Sequence, residues 1–174
     1  MNRLWSFAMT VSLIIALLPG QSLARPPPMF QSVGEYFGVP ASVLYAVAMQ
    51  ESQRRWPDGR IAPWPWTLNI AGQGHFYENR QAVEKALAIL YQSGSCNVDV
   101  GLMQINLCYH GHRTDRWASL IIPQENLSVA ARILIEQAAH CDGDWWCAVG
   151  RYHAPNHAVR AARYRRKVRR WQSD

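Results

Sequence analysis

A mainly α-helical domain carrying one small β-hairpin is the fold class this sequence predicts. Three observations lead to it. Several segments repeat apolar residues with helical spacing, as in Leu44, Val47, Ala48 and Glu51. A stretch rich in Trp, Pro and Gly from Trp56 to Asn69 interrupts that pattern. The chain has 174 residues with 49% hydrophobic content, which suits one domain with its own core.

The helices are placed in order by their start and stop residues. Phe30 to Phe37 reads as a short helix that Gly38 ends. Val39-Pro40 opens the next, with Pro40 suited to the first helical position. That helix ends on Glu51, which prolongs its apolar stripe. Thr67 to Ile70 reads as a strand, Gly72-Gln73-Gly74 as a turn, and His75 to Tyr77 as the return strand. Asn79 caps a helix over 80–92, with Ala82, Ala86, Ile89 and Leu90 facing inward and Ser93-Gly94-Ser95 ending it. A helix over 125–139 buries Leu127, Ala130, Ala131, Leu134 and Ala138. Another runs over 145–152, and a basic helix over 159–171 closes the chain.

The N-terminus has a different character. Arg3 precedes an apolar stretch from Leu4 to Leu18, then Pro19-Gly20 and the small-residue series Ser22-Leu23-Ala24. This is the layout of a secretory signal peptide cleaved after about Ala24, and the apolar stretch is short for a membrane span of roughly 20 residues. Residues 1–24 are therefore expected to be removed, leaving 25–174 as one exported domain. Export places Cys96, Cys108, Cys141 and Cys147 in an oxidising compartment, where two disulfides are expected. Four cysteines allow three pairings. Nearest-neighbour pairing would close a loop around Gly101–Asn106. Zinc bound by these cysteines with His110, His112, His140 or His153 is disfavoured, because no Cys-x-x-Cys pair is present.

The net charge of +6 is concentrated at one end. Arg160, Arg163, Arg165, Arg166, Lys167, Arg169 and Arg170 stand against the single acid Asp174, and the rest of the chain is balanced. Such a run is either a solvated helix face or a contact for an anionic surface, wall polymer or nucleic acid. Export argues against nucleic acid.

Three strings carry chemistry. Glu51-Ser52 sets a carboxyl at the end of an apolar helix, where burial raises its pKa toward that of a general acid. Gly101-Leu102-Met103-Gln104-Ile105-Asn106 is a glycine-led turn with a primary amide, suited to an amide-bearing sugar. Ala148-Val149-Gly150-Arg151-Tyr152 follows. In this order they resemble the lytic transglycosylases with a goose-type lysozyme-like domain. Pro63-Trp64-Pro65-Trp66-Thr67-Leu68-Asn69 and 97–106 are similar to members serving conjugative elements and type IV secretion systems.

The resemblance implies an α+β lysozyme-like fold, no cofactor, and peptidoglycan glycan strands as substrate. It implies that Glu51 is the single catalytic acid/base, and that Ser95, Met103, Gln104 and Tyr152 contact the substrate or border the carboxyl. It also implies a monomer in the periplasm that serves a secretion or conjugation apparatus. Asn126-Leu127 matches a structural helix start. The family's Tyr-Asn-Ala-Gly stands here as Tyr152-His153-Ala154-Pro155, and Tyr164 lacks the Glu-Thr-Arg that precedes a late tyrosine in many relatives. Tyr164 is accordingly set aside. The segment between Glu51 and Gln104 is long for the family, and its Trp- and Gly-rich part reads as an insertion. Two other readings remain. One is a muramidase with Asp99 as second carboxylate, and the other is a wall-binding assembly factor whose site is secondary.

Overall fold

The computed structural model describes residues 26–172. The expected signal peptide lies outside them. Helix α1 (Pro28–Phe37) ends at Gly38, which takes the left-handed conformation and returns its N–H to the Gly34 carbonyl. Helix α2 (Ala41–Ser52) follows, with Pro40 at the N-cap rather than inside the first turn. The stripe expected on α2 proves too narrow. Val43 through Met49 are all buried, so the helix runs through the core and emerges at its two ends, at Ala41-Ser42 and at Gln50-Glu51.

The β-structure exceeds the single expected hairpin. Strands β1 (Gln53–Arg55) and β2 (Ile61–Pro63) form an antiparallel pair directly after α2. A four-stranded antiparallel sheet has the order β4-β3-β5-β6. It comprises β3 (Thr67–Ile70), β4 (Gln73–Phe76), β5 (Val98–Val100) and β6 (Ile105–Asn106). The hairpin between β3 and β4 forms as anticipated, but its turn is Ala71-Gly72 rather than Gly72-Gln73-Gly74. Both turn residues have positive φ, 50° and 89°, as a tight two-residue hairpin requires. The short strands β5 and β6 escape a periodicity reading because two or three residues hold no period.

Helix α3 (Arg80–Gln92) begins at Asn79, whose side chain accepts from the Ala82 N–H. Its buried positions are Val83 and Leu87, while Ile89 is 63% exposed, contrary to the inward face expected. A short α4 (Leu107–His110) and two 3-10 turns lead to α5 (Pro123–Ala139), which buries each of the five residues assigned inward. Helices α6 (Trp145–His153) and α7 (Ala158–Arg169) pack on each other, α6 on α5, and α7 on α2. One apolar core joins them all. The domain is the anticipated α+β lysozyme-like architecture, mainly helical with small antiparallel sheets.

Cys96 pairs with Cys108 and Cys141 with Cys147, the nearest-neighbour arrangement. These bridges use every cysteine, leaving no thiolate for a metal. The first bridge closes a loop of separation 12 around the β5–β6 turn. Replacing Cys96 and Cys108 together by Ser should lower stability by about 3 kcal/mol, on the loop-entropy scale for a closure of this length. Urea denaturation of the oxidised wild type beside the double variant measures it.

Candidate active site

The site is assembled from five separate elements. Helix α2 delivers Glu51 to the point where the four-stranded sheet, α6 and α7 converge. Glu51 keeps a small accessible edge while protein surrounds its carboxyl. Burial raises its pKa to about 7, and the Asp99 charge on β5 pushes the same way. A hydrogen bond from Tyr164 and the charge of Lys167 oppose this without reversing it.

Tyr164 is the residue that sequence reasoning set aside. Its phenol donates to Glu51 Oε1. Oε2 makes no hydrogen bond among the described residues and is available to carry the acid proton. Burial first, then the nearby Glu51 charge, holds the Tyr164 pKa well above its ordinary value, so the phenol stays a donor. The signal was present in the sequence: Tyr164 and Val168 stand four apart inside the basic run, and both are buried. Close approach of α7 to α6 depends on Gly150, where a Cβ would lie 2.9 Å from the Ala161 carbonyl oxygen. His153 stacks on the Tyr164 ring at 4.5 Å between centroids and 4° between planes. At the far end of α7, Trp171 Nε1 donates to Gln50 Oε1 at 3.3 Å.

The Gly101–Gln104 turn joins β5 to β6 and is held from three sides. Asn126, fully buried on α5, accepts from the Met103 N–H at 2.8 Å. Its Nδ2 donates to the carbonyls of Val100 (2.8 Å) and Leu120 (2.9 Å). Ser52 Oγ reaches the Leu102 carbonyl at 2.8 Å, which ties the turn to α2 beside Glu51. Tyr152 donates to the Met103 carbonyl at 2.7 Å, which ties it to α6. Burial and then the Glu51 and Asp99 charges hold the Tyr152 pKa well above the usual phenol range.

These bonds bring Glu51, Gln104 and Tyr152 to one place. Gln104 has φ of 47° and donates its Nε2 to the Gly101 carbonyl at 2.9 Å, which leaves its Oε1 as an open acceptor. Met103 is fully buried, so it contributes to the turn through its main chain. Ser95 lies just beyond α3, its N–H given to the Leu90 carbonyl. Among the described residues its side chain makes no hydrogen bond to Glu51 or Gln104. Asp99 pairs across the sheet with Asn106, which donates to Asp99 Oδ1 at 2.8 Å. Desolvation raises the Asp99 pKa. A separate hollow of about 680 Å³, between α3 and the Leu107–Ala118 segment, holds none of these groups.

Gly101 is the tightest point of the turn. It has φ of 78°, and a Cβ there would sit 2.5 Å from Asn126 Nδ2 and 2.8 Å from the Leu120 carbonyl oxygen. Gly101→Ala should therefore cost about 3 kcal/mol through left-handed strain plus overpacking, read as a lowered denaturation midpoint. A second test follows the carboxyl. Direct titration of Glu51 should give a midpoint near 7, and Tyr164→Phe should move it upward, because the lost hydrogen bond favours the charged form. The folded-state value lies above the ordinary 4.5, so the associated stability is fully present below 4.5 and is lost as pH rises through about 7. Glu51→Gln should thus be more stable than wild type at pH 8 by about 3 kcal/mol, with the gain gone at pH 4.

Residues 78–172 match the family described as Transglycosylase SLT domain, which is more than half of the chain. Tyr152, Tyr164, Asn126 and the Gly101 turn fall inside that segment, and Glu51 lies upstream of it. Neither a curated protein nor a solved structure matches the chain significantly. The chain belongs to the SLT transglycosylase family, whose enzymes cleave peptidoglycan.

Proposed function

We propose that this enzyme cleaves the β-1,4 bond between N-acetylmuramic acid and N-acetylglucosamine and releases a 1,6-anhydromuramic product, with Glu51 as its single acid/base. The observation that carries the reading is the Glu51 carboxyl raised to about 7 by burial, with one oxygen engaged by Tyr164 and the other free. A carboxyl near 7 can donate and recover a proton at the same working pH.

The neutral Glu51 gives its proton to the glycosidic oxygen as that bond breaks. The substrate's own 2-acetamido oxygen stabilises the positive charge at C1. The resulting Glu51 carboxylate then takes the proton from the C6 hydroxyl of the same sugar, and O6 bonds to C1. The second step is intramolecular, so it gains from proximity and consumes no water. Gln104 Oε1 is positioned to accept a sugar amide N–H, and Tyr152 and Ser52 keep its turn in register with the carboxyl.

The enzyme acts in the periplasm after export, as a monomer, and opens the wall locally for a secretion or conjugation apparatus. The basic face of α7 contacts an anionic surface there. Its six cations, and Arg170 just beyond it, form no salt bridge among the described residues. A second reading, hydrolysis of the same bond with Asp99 as partner carboxylate, is favoured by one observation: the Asp99 charge acts on Glu51 from the facing sheet.

Product mass separates the two. Digestion of purified peptidoglycan should release fragments lighter by one water than hydrolysed ones, and Glu51→Gln should release none. Hydrolysed fragments would point to the muramidase. Undiminished digestion by Glu51→Gln would remove Glu51 from the chemistry and leave the wall-binding reading. The rate should fall as pH rises through about 7, since the acid form of Glu51 is then lost.

A further inference from the structure

Cross-strand register sorts the sheet into two faces. Leu68, Val100 and Ile105 align across β3, β5 and β6 and are all buried in the core. The alternate row is Gly74, Asn69, Asp99 and Asn106, aligned across all four strands on the opposite face. The Thr67–Phe76 pair lies two residues along on that same face. Asp99 acts on both Glu51 and Tyr152, so this face is the one turned toward the carboxyl.

The row is polar and incompletely paired. Asn106 spends both ends of its amide, on Asp99 Oδ1 and on the Tyr109 N–H. Asp99 Oδ2 accepts no hydrogen bond among the described residues. Asn69 Oδ1 is buried with no hydrogen-bond partner among the described residues. A buried amide oxygen left without a donor is destabilising, and a native fold that retains one has a reason to do so. Beside it Gly74 leaves open space, since a Cβ there would meet no atom within 4 Å. Phe76 is 44% exposed, with the Arg54 guanidinium 5.4 Å from its ring centroid. An apolar ring, open space over Gly74, an unpaired amide oxygen and a carboxylate oxygen together match a neutral sugar. Such a ligand has a hydrophobic ring face, hydroxyl donors and an amide N–H.

We propose that Asn69, Asp99 and Phe76 form a binding site for one N-acetylated hexosamine ring of the glycan, with the ring lying over Gly74. This rests on the glycan-cleaving reading above and extends it to a segment outside the family match, because Asn69, Gly74 and Phe76 all precede residue 78. The β3–β4 hairpin thereby gains a function: it widens the sheet that faces Glu51 by two strands.

The test uses the full exported chain in the Glu51→Gln background, titrated with soluble, uncross-linked glycan strands. Asn69→Ala removes the amide. Gly74→Val adds a side chain where nothing in the fold opposes it, and a β-branched residue suits a strand. Each should weaken binding about tenfold, the scale of one lost hydrogen bond or one blocked contact, while melting temperature holds. With Glu51 restored, Asn69→Ala should raise KM and leave kcat nearly unchanged. Equal binding by both variants and their parent overturns the site while leaving the lytic reading intact. Failure of the Glu51→Gln parent to bind strands overturns both.

Discussion

A carboxyl held inside protein without a cationic partner in contact is the constraint around which this fold is arranged. Burying an ionised group is costly, and here it raises the Glu51 pKa to about 7, so the carboxyl is neutral at pH values below that. Three features set the balance. Helix α2 is buried from Val43 to Met49, so Glu51 follows directly on the core and keeps only a partly accessible edge. The Tyr164 phenol donates a hydrogen bond that favours the charged form and so limits the rise. Asp99 adds like charge from across the gap, and Lys167 offsets part of it.

The substrate side of the site depends on a second buried polar group. Asn126 makes three main-chain hydrogen bonds to the β5–β6 turn and the preceding 3-10 segment, and no water is needed to complete its amide. It fixes a turn that would otherwise be unstable, since Gly101 and Gln104 both have positive φ. Ser52 and Tyr152 then register that turn against α2 and α6. The acid and the amide are thus placed by different elements and joined by main-chain carbonyls. A side-chain substitution in the turn changes its chemistry more readily than its position, apart from Gly101.

Helix ends were legible because they are written locally. Asn79 caps α3, Gly38 stops α1, and the apolar set on α5 is buried as its spacing requires. Glu51, Gln104 and Tyr152 were legible as a series of short strings whose order resembles a known family. Other features were hidden for physical reasons. Ile89 carries an apolar side chain on an outward face, because Val83 and Leu87 already fill the space beneath α3. Strands β5 and β6 are too short to show alternation. Tyr164 looked like one more residue of a charged helix, and only the packing of α7 on α2 and α6 shows that its hydroxyl ends on Glu51.

The sequence by itself determined the helical class, the caps and breaks, the disulfide-forming set of cysteines, and which residues have the chemistry to donate a proton or bind an amide. These follow from side-chain type and near-neighbour spacing, which the chain carries without folding. Tertiary structure alone decided which of those groups meet. Glu51 and Tyr164 are 113 residues apart, and Tyr152 and Met103 are 49 apart. A carboxyl's pKa depends on what surrounds it in space, and the surroundings of Glu51 come from α6, α7 and β5, a strand too short for a local pattern to announce.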